Sequence, residues 1–164
     1  MSHLVPRPFG KADVGPLLDL MRGLAVFERY DQAFAVTEET LIEQGITRAP
    51  PDFHAMVVDN PGGGLAGMLT YHLIPFTLRA RPTLFIKELF VAPACRSMGV
   101  GRVLMVAAAK AATTADCAVV KWQVARWNTE ARRFYEGLGA ECDEQWLDYR
   151  LSGEAIATLA RGTP

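Results

Sequence analysis

A mixed α/β fold, with helices packed on a central sheet, is predicted by three features of the sequence. Runs suited to strands alternate with amphipathic helical stripes, in the order β-α-α-β-β-β-α-β-α-β. A nearly continuous apolar run, Leu84 to Val91, passes through a loop with two closely spaced glycines straight into a helical stripe. The chain has 164 residues, half of them hydrophobic and 21% charged, which suits one domain (residues 1–164) with its own core and excludes a disordered or fibrous chain.

Taken in order, Leu4 to Arg7 suits a first strand, ended by Pro8. Val14, Leu17, Leu18, Met21, Leu24 and Ala25 recur at helical spacing and form one apolar stripe. Thr37 can cap a short second helix, with Glu38 and Glu39 facing the positive end of its dipole. His54 to Asp59 and Leu65 to Ile74 read as a hairpin around the Pro-Gly-rich turn. Leu84 to Val91 is apolar apart from Lys87 and Glu88, as expected of a strand buried on both faces. Val100, Val103, Leu104, Ala107, Ala108 and Ala111 mark a long amphipathic helix, and Ala118 to Val124 a further strand. Asn128 can cap a helix carrying Phe134, Tyr135 and Leu138, which Gly139 stops. Trp146 to Leu151 is expected as a last strand, and Glu154 to Ala160 as a terminal helical turn or two.

Seventeen basic against eighteen acidic side chains leave a formal net charge of -1, and no basic cluster suggests a nucleic-acid binder. No apolar run is long enough to span a membrane, and Met1 to Gly10 has two prolines and no apolar core of a signal peptide. Cys95, Cys117 and Cys142 are odd in number and form no C-x-x-C, so reduced thiols in a cytoplasmic protein are expected. His3, His54 and His72 are not spaced as a shared metal site, and no metal is expected. There is no internal repeat, and the two loop-rich stretches, 48–52 and 59–64, are too short to separate domains.

The informative stretch runs from Val91 to Arg102. A strand enters a loop with Gly99 and Gly101, and the loop opens a helix. Glycines allow close backbone approach to an anion, and the first N–H groups of a helix have no partner within it. The helix dipole adds positive potential there, and Arg96 and Arg102 can add charge. A Walker A loop is excluded because Gly-Lys-Ser/Thr is absent. A dinucleotide fingerprint is excluded because Leu104 stands where its third glycine would be.

What remains is R-x-x-G-x-G, here Arg96-Ser97-Met98-Gly99-Val100-Gly101. It resembles the signature of the GNAT superfamily of acyl-CoA-dependent N-acetyltransferases. The similarity is to the diamine (spermidine/spermine) acetyltransferase branch, over most of the chain. It is carried by Arg7-Pro8 with Ala12-Asp13, Leu24-Ala25 with Phe27-Glu28, Val36-Thr37-Glu38 with Leu41, Val124 to Asn128, Phe134-Tyr135, and Glu144 with Trp146. The resemblance implies a mixed, mostly antiparallel sheet whose middle strands splay apart, flanked by helices. It implies acetyl-CoA as co-substrate, its pantetheine arm on the backbone of Leu89, Phe90 and Val91. Its pyrophosphate would rest on the loop of Arg96, Ser97, Met98, Gly99, Val100, Gly101 and Arg102. Asn128 would lie near the cofactor as well as capping its helix.

For catalysis the resemblance implies direct attack of a neutral amine on the thioester. Tyr135 would then be the acid: a phenol can donate to a departing thiolate as charge develops on sulfur. Close relatives carry two adjacent acids on the cofactor strand, where this chain has Lys87-Glu88. Strand neighbours point to opposite faces, so Glu88 does not simply replace the first acid. Glu28, Glu88, Glu144 or an ordered water could each take the amine's proton. Phe27, Glu28, Lys87, Glu144 and Trp146 are the expected substrate-side residues. Lys87 would repel a polycation or pair with a substrate carboxylate, so the expected small-molecule amine is either diamine-like or a lysine analogue. The other class of reading is an acyl-CoA-binding sensor or partner module with weak catalysis. Tyr135 favours the enzyme, and the missing acid at Lys87 favours the module. A homodimer, with no nucleic-acid or membrane partner, completes the expectation.

Overall fold

The computed structural model describes residues 4–75 and 80–162. His3 lies outside them. The chain divides into two compact units, Met1–Gln123 and Val124–Pro164.

The first unit is built on a five-stranded sheet in the order β1-β2-β3-β4-β5. The strands are β1 (Pro6–Pro8), β2 (His54–Asp59), β3 (Leu65–Ile74), β4 (Thr83–Val91) and β5 (Val119–Trp122). Every pairing is antiparallel except β4 with β5. The exception follows from helix α3 (Val100–Thr114), which carries the chain back across the sheet between them. The first strand starts two residues later than expected and contains Pro8, as an edge strand can.

Helix α1 (Val14–Phe27) buries every residue of its predicted stripe, and Leu20 besides. With Leu41 of the short helix α2 (Glu38–Ile42), it covers Ala55, Val57, Met68 and Phe90 on one face of the sheet. Helix α3 covers the other face, where Val100, Leu104, Ala108 and Ala112 pack on Val58, Leu69, Leu84 and Ile86. Thr37 caps α2 as expected, its hydroxyl accepting from the Thr40 N–H at 3.2 Å. A π-helical turn, Glu43–Thr47, follows α2.

Two approaches between a helix and the sheet are tight enough to require glycine. A Cβ on Gly23 would stand 2.9 Å from the Phe90 ring, so α1 rests directly on β4. A Cβ on Gly67 would stand 2.7 Å from the Val100 side chain, so the start of α3 rests directly on β3.

Strict alternation in β4 does not hold. Thr70 pairs with Glu88 but Tyr71 pairs with Ile86, leaving Lys87 as the extra residue of a bulge. Leu84 and Ile86 therefore face α3, whereas Phe90, an even number of residues on, faces α1. Glu88 shares the phase of Phe90. Nor is β4 buried along its whole length: Lys87 is exposed, and Glu88 and Leu89 are half-buried.

In the second unit, α4 (Thr129–Glu136) and α5 (Glu154–Ala160) are present as expected. The expected last strand at Trp146 to Leu151 is not formed. Among the described residues this segment is not one of the strands of the sheet. Its apolar side chains are exposed, Trp146 at 76% and Tyr149 at 92%.

Candidate active site

The loop that leaves β4 turns twice through left-handed backbone, at Ser97 (φ 62°) and Gly99 (φ 87°). The second position suits only glycine without strain. The first is held by an ordinary serine, which the sequence does not announce. Helical bonding in α3 begins where the Val103 N–H reaches the Gly99 carbonyl at 3.1 Å. Gly99 brings no side chain to cap the helix. The amides of Val100, Gly101 and Arg102 thus form an unbonded first turn at the positive end of a 15-residue helix.

The register of β4 sets up a second feature. The Ala92 N–H bonds to the Ala66 carbonyl at 2.9 Å, which makes this a hydrogen-bonded pair. Bonded pairs alternate in an antiparallel ladder, so Phe90 and Glu88 bond to β3 while the backbone groups of Leu89 and Val91 point away from it. On that outer side, pairing with β5 covers only Thr83–Ile86 against Val119–Trp122 and stops at the bulge. The stretch of β4 beyond Lys87 therefore offers main-chain donors and acceptors along an edge with no strand partner among the described residues, ending at the helix amides.

Acidic groups gather on the α1 face. Thr70, itself buried, donates a hydrogen bond of 2.6 Å from Oγ1 to Glu88 Oε2. Burial pushes the Glu28 carboxyl up, and nearby Glu88 pushes it further, while Lys87 draws it down. The Tyr30 phenol is pushed up to about 12 by burial and by Glu88 and Glu28. The structure thus brings Glu28, Lys87 and Glu88 into one electrostatic neighbourhood and adds Thr70 and Tyr30. Thr70 was hidden because its place opposite Glu88 depends on a pairing register. Tyr30 had a faint signal, its closeness in sequence to Phe27-Glu28.

Phe27, Phe90 and Arg96 also converge. The Arg96 guanidinium lies 5.4 Å from the centre of the Phe27 ring and 5.9 Å from that of Phe90. All three line a cavity of about 820 Å³ bounded by α1, the β2–β3 turn and the end of β4.

In the second unit, Asn128 caps α4, its Oδ1 accepting from the Ala131 N–H at 3.1 Å. Tyr135 lies on this helix, its ring 5.2 Å from that of Phe134. The chain leaves through Gly139 in left-handed backbone (φ 87°), with the Ala140 N–H returning to the Tyr135 carbonyl at 3.1 Å. Glu144 and Trp146 lie in the irregular segment after it and are exposed.

His54 stacks on Tyr71 with ring centres 4.9 Å apart, and His72 Nδ1 lies 2.9 Å from the Asp52 carbonyl. Among the described residues no group of three or more His, Cys, Asp or Glu is placed to hold a metal ion. Nor is any of their helices long and apolar enough to cross a membrane.

Residues 19–140 match the Acetyltransferase (GNAT) family. The chain is 29% identical over 160 residues to thialysine N-epsilon-acetyltransferase of Mus musculus, covering 92% of this chain and 93% of that one. It is 34% identical over 80 residues to L-ornithine N5-acetyltransferase of Arabidopsis thaliana, covering 49% of this chain and 35% of that one. Its fold is similar to that of an integron cassette protein of V. cholerae, with a TM-score of 0.79 at 22% identity over 98% of this chain and 99% of the other. The chain belongs to the Acetyltransferase (GNAT) family, whose members use acetyl-CoA as co-substrate, and is an N-acetyltransferase.

Proposed function

We propose that the protein transfers the acetyl group of acetyl-CoA to the side-chain amine of a small amino acid of the lysine or ornithine type. Transfer occurs by direct attack while both substrates are bound. The bulge at Lys87 carries this reading. It leaves a cation exposed and puts Glu88 on the α1 side, near Glu28. Carboxylates suit the ammonium end of the substrate, and Lys87 suits a carboxylate at the other end. The names of the thialysine and ornithine relatives support the same class, since both substrates join a side-chain amine to an amino-acid carboxylate.

In this reading the pantetheine arm runs along Leu89, Phe90 and Val91 and bonds to the main chain of Leu89 and Val91, since that of Phe90 is taken up by β3. The pyrophosphate lies on the loop from Arg96 to Arg102, and Asn128 contributes beside its capping role. Glu88, held by Thr70, accepts the proton of the ammonium and frees the nitrogen lone pair. That nitrogen bonds to the thioester carbonyl carbon, and the C–S bond breaks. Tyr135 supplies a proton to the departing thiolate and regains one from the second proton that the nitrogen loses as the amide forms. Phe27, Glu144 and Trp146 complete the amine site. The two units serve as one catalytic domain, working in the cytoplasm as a homodimer. Its partners are small molecules, with no nucleic acid, membrane or metal involved.

Thiol release from acetyl-CoA tests this across thialysine, lysine, ornithine, spermidine and putrescine, with an amine-free control. The reading expects amine-dependent release, fastest with the amino acids. Preference for spermidine would overturn the substrate class. Binding of CoA without release on any amine would favour the sensor module.

A further inference from the structure

We infer that Phe27 and Phe90 are positioning residues for Arg96, gripping its guanidinium so that it meets the phosphates of acetyl-CoA already oriented. The inference rests on the proposed role of Arg96 at the cofactor loop. Arg96 is exposed on a loop, and a free arginine there would lose much rotamer freedom on binding an anion. Two ring centres lie within 6 Å of its guanidinium carbon, at 5.4 and 5.9 Å. That is cation–π range, and such a contact leaves the N–H groups able to donate to an anion. No carboxylate among the described residues forms an ion pair with Arg96, so its charge is not spent within the first unit.

The rings are themselves fixed by the fold. Phe90 is 7% exposed and pressed against Gly23 of α1. Phe27 is the last residue of the same helix. One helix thus locks one ring and presents the other, and the arginine stands by both. Phe27 is 38% exposed and outside the buried core, so it can be varied with less risk to folding than Phe90.

The test is calorimetric titration with CoA of the wild type, Phe27→Trp, Phe27→Leu, Arg96→Ala and the Phe27→Leu/Arg96→Ala double variant. Thermal melts establish that each is folded. The expected result is that Phe27→Leu weakens CoA binding by about two- to fivefold, whereas Phe27→Trp, which keeps a π face, binds as the wild type or tighter. The double variant should bind as Arg96→Ala alone, because the ring acts through the arginine. Equal binding by Phe27→Leu and Phe27→Trp, or a loss from Phe27→Leu that persists at full size without Arg96, would overturn the clamp while leaving Arg96 as a cofactor residue. Wild-type affinity in Arg96→Ala would instead remove the role of Arg96 and the clamp with it.

Discussion

Three side chains, two proposed for the chemistry and one in the framework, can be tested singly. The proposed role of Tyr135 as the acid at sulfur predicts that Tyr135→Phe lowers kcat about ten- to a thousandfold while CoA still binds, measured by steady-state kinetics and titration. Lys87 is the extra residue of the β4 bulge. Lys87→Glu should shift the ratio of kcat/KM for spermidine over ornithine upward by about tenfold or more, since it exchanges an attraction for a repulsion at the carboxylate end. An unchanged ratio would show that Lys87 does not face the substrate. Asp13 belongs to the framework, not the chemistry. The Arg7 guanidinium donates to its two oxygens at 2.7 and 2.8 Å, and to Asp59 at 2.6 and 3.0 Å, tying β1 to β2 and to the start of α1. Arg7 holds the Asp13 carboxyl below its ordinary value of 3.8. A depressed carboxyl stabilises the fold above its unfolded pKa, and that stabilisation is lost as pH falls through the native value. Asp13→Asn should therefore cost about 1–3 kcal/mol at neutral pH, with the difference from wild type shrinking only below pH 3.8, as read from urea unfolding at a series of pH values.

At the scale of elements, the proposed cofactor site is a junction of β4, its loop and α3. Gly99 holds left-handed backbone, so Gly99→Val should weaken CoA binding by about tenfold or more, whereas Met98→Ala, whose exposed side chain leaves the main chain free to bind, should change it less than about twofold. Gly67 lies under the first turn of the same helix. Gly67→Ala must push Val100 aside, and is expected to cost about 1–3 kcal/mol in thermal or urea unfolding and to weaken CoA binding as the helix start shifts. Much of this scale was legible in the sequence. The stripe of α1 is buried as its spacing predicts, Thr37 and Asn128 cap where a cap is needed, and the hairpin closes on its glycines. Those signals are local: each depends on a few neighbouring residues. The bulge at Lys87 was not legible, because it exists only in the register between β3 and β4. For the same reason Trp146 to Leu151 has the composition of a strand without being one. The left-handed Ser97 has no signal of its own, since serine is common in every loop conformation.

For the molecule as a whole, the proposed reading lets a chain with almost no net charge handle two charged substrates. In that reading the anion meets backbone amides and a helix dipole at one end of β4, and the cation meets carboxylates on its α1 side. One strand carries both, and its bulge separates the edge that pairs with β5 from the edge left open. The candidate site was legible in the sequence to the extent that its motif is contiguous, from Arg96 to Gly101. The acidic neighbourhood was only partly so, because Glu28, Thr70 and Glu88 are distant in sequence and meet through packing. The most direct test of the central claim is mass spectrometry of ornithine and thialysine after incubation with the protein and acetyl-CoA. The account predicts a singly acetylated side-chain amine formed in equal amount to free CoA. Free CoA without acetylated amine, or no product from folded protein that binds CoA, would contradict it.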